Sequence, residues 1–143
     1  MGEIVWRHSG QRLRLPVAVL PSAAAQNSLA IEVIDALVDT GATGTGLRPD
    51  VAKALDVPGR GKRRVMTANG DILVPEYRIR LGFFCGEFQN DPEPHGSPYV
   101  LDFGLLVHAL RENFSYQMLI GMDVLSRCDL ILLKDRTATI RLP

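Results

Sequence analysis

The chain has 143 residues, the size of one domain, and folding at that size buries roughly 70% of the surface an extended chain exposes. Hydrophobic residues make up 46% and the formal net charge is zero, which describes an ordinary globular chain with no overall electrostatic pull toward nucleic acid or an anionic membrane. Partners must therefore be argued from sites. Arg12 to Leu20 opens as a period-two alternation, Pro21 to Ser28 is a small and polar connection, and Leu29 to Val38 resumes the apolar pattern, so a strand hairpin is predicted. Thr40 to Gly46 is rich in Gly and Thr. Pro49 to Leu55 carries Val51, Ala54 and Leu55 at helical spacing, with Pro58 and Gly59 expected to end that short helix.

Further along, Arg64 to Thr67 and Ile72 to Tyr77 flank Asn69-Gly70, a two-residue hairpin signal because both residues tolerate positive φ. A protruding hairpin over about 64–77 follows from it. Tyr77 to Phe84 and Tyr99 to Leu110 read as strands, separated by a Pro-, Gly- and acid-rich surface loop over about 86–98 that is expected to be mobile. Gln117 to Ile120 is an apolar approach to Gly121, Met122 to Cys128 is one or two helical turns, and Leu130 to Leu133 with Thr137 to Leu142 are closing strands. No long helix bridges any two strands, so a parallel α/β sheet is hard to build, whereas short strands with frequent turn signals suit a closed or sandwiched β fold.

Cys85 and Cys128 form no C-x-x-C pair and the histidines do not fall at metal-ligand spacing, so neither metal nor cofactor is expected. Glu3, Arg7 and His8 interrupt the N-terminus where a signal peptide needs an apolar stretch, and no apolar run reaches membrane-spanning length. The expected setting is the cytoplasm, with no membrane and no nucleic acid as partner. The short basic run Arg60-Gly61-Lys62-Arg63-Arg64 is expected to be solvated.

The chemistry-bearing stretch is Ala36-Leu37-Val38-Asp39-Thr40-Gly41-Ala42-Thr43, in which a carboxylate leaves an apolar strand straight into a turn of small residues. A buried charge without partners is costly, so such an Asp is held by the turn, paired, or both. Gly41 lets backbone approach closely and leaves space over the carboxylate. Asp35, four residues earlier on the same strand face, is expected to be a solvated edge residue, because four positions of strand span over about 12 Å. Asp123 is expected to serve the first turn of its helix.

This stretch resembles the active-site loop of retropepsin-like aspartic proteases, whose pattern is apolar-apolar-Asp-Thr/Ser-Gly-Ala/Ser. A second stretch, Met118-Leu119-Ile120-Gly121-Met122-Asp123-Val124-Leu125, resembles that family's C-terminal signature, an apolar pair and Gly opening a short helix, and the order and separation of the two also match. The resemblance implies a mainly β, single-lobe acid protease fold over residues 1–143, with a flap hairpin and two short helices. It implies an aspartic endopeptidase without cofactor, cleaving peptide or protein substrates, with Asp39, Thr40 and Gly41 as the catalytic loop. Ala42, Thr43, Ala68, Asn69 and Gly70 would face the substrate, and Leu119, Ile120 and Gly121 would form the supporting motif.

Since D-T-G occurs once, the resemblance further implies a homodimer, with a second Asp39 completing a dyad. Thr137 to Leu142 is expected to be an unpaired terminal edge that cements the dimer, with Met1 to Arg7 joining it. Two positions depart from the retroviral pattern: Thr43 and Met122 stand where those enzymes carry an acid and an Arg that pair. Losing both is self-consistent, since losing one would strand a charge. The alternative on the same fold is a catalytically silent peptide-binding or dimerisation module. Thr40 to Gly46 also resembles the glycine-rich loop of short-chain dehydrogenases, but Pro49 cuts into the helix that loop would need and no Tyr-x-x-x-Lys follows.

Overall fold

In the computed structural model, which describes residues 2–143, the alternating segments form strands wherever one face has a core to cover. The elements in order are β1 (Glu3–Arg7), β2 (Leu13–Pro21), β3 (Glu32–Val38), β4 (Gly46–Leu47), α1 (Pro49–Ala54), β5 (Lys62–Thr67) and β6 (Gly70–Phe83). They continue with β7 (Gly86–Glu87), β8 (Tyr99–Val100), β9 (Leu105–Ala109), β10 (Met118–Ile120), α2 (Met122–Leu125), β11 (Asp129–Leu132) and β12 (Thr137–Arg141). The chain is mainly β with two short helices, as the spacing predicts.

Strands β2, β3, β10, β4, β9 and β6 follow one another by hydrogen bonding, and β6 pairs back onto β2, so the sheet closes on itself. Closure removes the open edges that an isolated sheet would expose. The ring mixes hands: β10 runs parallel to β3 with Met118 opposite Ala36 and Ile120 opposite Val38, and antiparallel to β4. Met118, Ile120, Ala36, Val17, Ile79, Leu81 and Val107 fill its interior. β2 is buried on both faces from Leu15 onward, because Ala18 and Leu20 pack outward on Phe84 while their neighbours face the ring.

A second sheet, in the order β11-β12-β1-β7, lies against the ring and shares its core through Ile4, Trp6, Ala138 and Ile140. β12 is the correction here. It is not an unpaired edge: Ala138 lies opposite Trp6 on one side and opposite Leu132 on the other, so both flanks are occupied within the chain. Even-numbered residues of β1 and β12 both face the core, and pairing the two strands covers that stripe without help from another chain. Met1, the first residue of the expected terminal segment, lies outside the described residues.

Four further differences are local. The residues from Tyr77 do not start a new strand, since β6 runs unbroken through Pro75, which sits where no ladder donor is demanded. The hairpin turns at Ala68-Asn69, with Thr67 opposite Gly70, so only Gly70 takes a positive φ, of 105°. That is a turn with a left-handed glycine closing it, one residue earlier than a turn centred on Asn69-Gly70. Helix α1 ends before Pro58: Asp56 enters the left-handed region at φ 54°, and the N–H groups of Asp56 and Val57 reach back to the carbonyls of Lys53 and Ala52. Of the 86–98 loop, Gly86 and Glu87 form β7, parallel to β1.

Candidate active site

Asp39 follows the last residue of β3, and its backbone N–H donates to Ile120 O at 3.0 Å, the last rung between β3 and β10. Its Oδ1 accepts the N–H of Gly41 at 2.9 Å, and the Ala42 N–H donates to Asp39 O at 3.2 Å. The carboxylate is half-buried, while Thr40, Gly41 and Thr43 are exposed. A turn of small residues thus fixes one carboxylate oxygen by a charge-assisted bond and leaves the approach open.

Behind this turn the two sequence motifs interlock. Ala42 O accepts the Met122 N–H at 2.8 Å and Thr43 O accepts the Asp123 N–H at 3.1 Å, so carbonyls of the first motif cap the first turn of α2. Gly121 makes the approach possible. A Cβ there would lie 2.6 Å from Gly44 O and 2.9 Å from Ala42 O, both backbone atoms. Asp123 does more than serve its own helix: its Oδ2 accepts the Thr45 N–H at 3.1 Å and its Oδ1 the Thr45 hydroxyl at 2.7 Å. Thr45 Oγ1 in turn accepts the Gly121 N–H at 3.1 Å. Among the described residues Thr45 is the buried polar one, fully excluded from solvent, and sequence reading passed over it because nothing local distinguishes it from Thr40 or Thr43.

On the far side of this loop stands His108. A Cβ on Gly46 would lie 3.0 Å from its Nε2, and a Cβ on Gly44 would lie 3.0 Å from Arg63 Nη1. Arg63 is anchored by Nε to Glu76 Oε1 at 2.8 Å and by Nη2 to Leu106 O at 3.1 Å. Burial pushes the His108 imidazole below its ordinary range, Arg63 acts in the same direction, and Asp123 and Glu76 oppose it. Its Nδ1 is buried without a partner. The basic run is therefore not wholly solvated, because Arg63 ties the root of the β5–β6 hairpin to β9.

Asp39 opens onto a groove of about 440 Å³, lined by His8, Gly10, Gln11, Arg12, Leu13, Leu37, Val38 and Leu132. His8 and Arg12 are unanticipated there, although the β2–β3 register carries the signal: Leu13 lies opposite Val38, so the residues before Leu13 must pass Asp39. Asp35 is exposed and 3.9 Å from Arg14, but β3 lies between β2 and β10, so it is solvated without being on an edge. Ala68, Asn69 and Gly70 are exposed at the hairpin tip, and Thr67 Oγ1 stabilises the turn by donating to Gly70 O at 2.7 Å. No hydrogen bond among the described residues joins that tip to the Asp39 turn. No helix among them is long and apolar enough to cross a membrane.

Residues 27–124 match the family model described as aspartyl protease. No curated protein matches the chain. Among solved structures, the fold is similar to that of a retropepsin-like aspartic protease from Rickettsia conorii, with a TM-score of 0.64 and 16% identity over 99% of this chain and 91% of that one. At that identity the likeness speaks for the fold, which is retropepsin-like. The family match runs from before β3 through the interlocked turn of α2, more than half of the chain, and on that ground this chain belongs to the aspartyl protease family.

Proposed function

We propose that the chain is an aspartic endopeptidase that works as a homodimer, each subunit contributing Asp39 to a shared dyad. The observation that carries this reading is that Asp39 is the one acid lining its groove, while the neighbouring carboxylates are engaged elsewhere, Asp123 with Thr45 and Asp35 with Arg14. A lone carboxylate cannot supply the acid and the base together. Two carboxylates about 3 Å apart share one proton, so one of them deprotonates a water that attacks the scissile carbonyl while the other delivers a proton to the developing oxyanion.

In this reading Thr40 and Gly41 complete the catalytic turn, and Ala42 and Thr43 flank the substrate backbone. The β5–β6 hairpin, with Ala68, Asn69 and Gly70 at its tip, is the flap. Leu119, Ile120 and Gly121 are the supporting motif, and residues 1–143 form one protease domain. The test is a mass-spectrometric map of peptides released from a denatured protein mixture by wild type and by Asp39→Asn. Wild type generates new termini that pepstatin suppresses, and Asp39→Asn generates none, because the isosteric amide cannot act as the base. Equal release by both proteins would end the proposal, and no release by either would favour the silent peptide-binding module.

A further inference from the structure

The loop that leaves Asp39 and the root of the β5–β6 hairpin meet at one side chain. Arg63 pairs with Val74 across the hairpin and shares its face with Val65 and Ile72. Arg63, Val65 and Val74 are half-buried while Lys62, Arg64 and Met66 are exposed, so this face turns toward the body of the chain. Two nitrogens of the guanidinium are committed there, Nε to Glu76 Oε1 on β6 at 2.8 Å and Nη2 to Leu106 O on β9 at 3.1 Å. Bonded to two strands at once, the planar fork is held in one orientation.

The remaining nitrogen, Nη1, lies against Gly44, 3.0 Å from where a Cβ on that residue would stand. His108 Nδ1 would be 3.8 Å from the same Cβ, an ordinary contact, so Arg63 is the tight neighbour. Behind Gly44, its carbonyl oxygen is so close to Gly121 that a Cβ there would lie 2.6 Å from it. A push from Arg63 on Gly44 is therefore passed along the 42–44 backbone toward the Asp39 turn. We propose that Arg63 is a positioning residue for catalysis. It fixes the root of the flap hairpin against the backbone of the catalytic loop, so that the hairpin closes over a peptide in register with Asp39. This rests on the reading above of Asp39 as the catalytic carboxylate and of the hairpin as the flap. The role is geometric, and it needs the whole fork as well as the charge, since a misplacement of about 1 Å at a reacting group can cost about a hundredfold in rate.

Two substitutions separate positioning from an ordinary ion pair. Arg63→Lys keeps a cation for the half-buried Glu76, but an ammonium cannot reach Glu76, Leu106 O and Gly44 together. Gly44→Ala sets a methyl against Nη1 at a residue outside the left-handed region. Each variant is expected to keep its Tm within about 4 °C of wild type. Each should lower kcat/KM about fivefold or more on a peptide that wild type cleaves and Asp39→Asn does not, with kcat and KM both moving, as at the hinge of a closing element. The double variant should be no worse than Arg63→Lys alone, because the methyl then has room and the two defects do not add. An undiminished Gly44→Ala penalty in the Arg63→Lys background would overturn the positioning role and leave the peptidase standing. So would wild-type kinetics from Arg63→Lys, since an ion pair would then suffice. Should Gly44→Ala not fold, hydrogen exchange in Arg63→Lys decides: faster exchange over residues 64–73 with β2 and β3 still protected supports the role, and unchanged exchange overturns it. A wild-type chain that releases no peptide would remove the endopeptidase reading and this role with it.

Discussion

The Thr45 hydroxyl donates to Asp123 Oδ1 at 2.7 Å while accepting the Gly121 N–H, so a single side chain joins the loop after Asp39 to the helix that supports it. Thr45 and Gly121 are buried and Asp123 is partly so, and each group is satisfied by the others. Buried networks of this kind are costly when partly unmade.

Thr45→Val keeps the shape and removes the hydroxyl, which strands the Gly121 N–H and one bond of the Asp123 carboxylate. The expected loss is about 2–3 kcal/mol of unfolding free energy. Urea denaturation measures it, and a change under about 0.5 kcal/mol, the size of an ordinary surface substitution, would mean the network contributes nothing.

Gly121→Ala tests the interlock from the other motif. The added methyl would sit 2.6 Å from Gly44 O, a backbone atom that cannot swing aside. Either α2 or the 42–44 backbone must move, at a cost of about 1–3 kcal/mol or more. Because that backbone continues into the Asp39 turn, kcat is expected to fall more than the stability loss alone explains. Wild-type kcat in a folded Gly121→Ala protein would show that the two segments are not mechanically joined.

Mixing subunits addresses the dyad directly. Wild-type and Asp39→Asn chains co-refolded in equal amounts give about a quarter of dimers with two aspartates, by the arithmetic of random two-fold pairing. Specific activity per total chain is expected at roughly a quarter of wild type. A value near one half means each chain works alone.

His108 sets a pH response of stability. Its folded-state affinity for a proton is lowered by burial and by Arg63, so the unfolded chain binds the proton first as pH falls through the ordinary imidazole value of about 6.5. Stability is therefore lost on acidification through that value until the folded-state value is also passed. His108→Gln is expected to reduce the decline in Tm between about pH 8 and pH 5. Parallel Tm profiles for the two proteins would remove His108 from the account.

Much of this molecule is legible from its residues. Alternation finds β3 and β12, because each covers the core with one face and the period survives burial, whereas β2 is legible from the alternation at its start and from its unbroken apolar run. The two motifs are visible as apolar runs broken by Asp39 and Gly121, and the structure joins them as neighbouring parallel strands. What escapes is pairing between distant segments. The Glu3–Arg7 strand is short and carries no turn signal, so only its register with Thr137–Arg141 shows that the terminal strands pair within one chain. Thr45, Arg63 and His108 are ordinary residues in sequence, and their roles exist only where β4, β5 and β9 converge. The hairpin turn is misplaced by one residue because Asn69 tolerates positive φ without needing it.

The parallel strand β10 has a consequence for how the molecule assembles in time. It fills the gap between β3 and β4, yet it lies far along the chain from both, so the ring cannot shut until residues 118–120 have been synthesised and threaded between strands made much earlier. Pairings of such long sequence separation are slow to form and leave edges uncovered while they wait. A nascent chain that has already emerged through β9 thus carries Asp39 without the Ile120 carbonyl that holds its backbone, and the turn bearing the carboxylate acquires its shape among the last steps of folding.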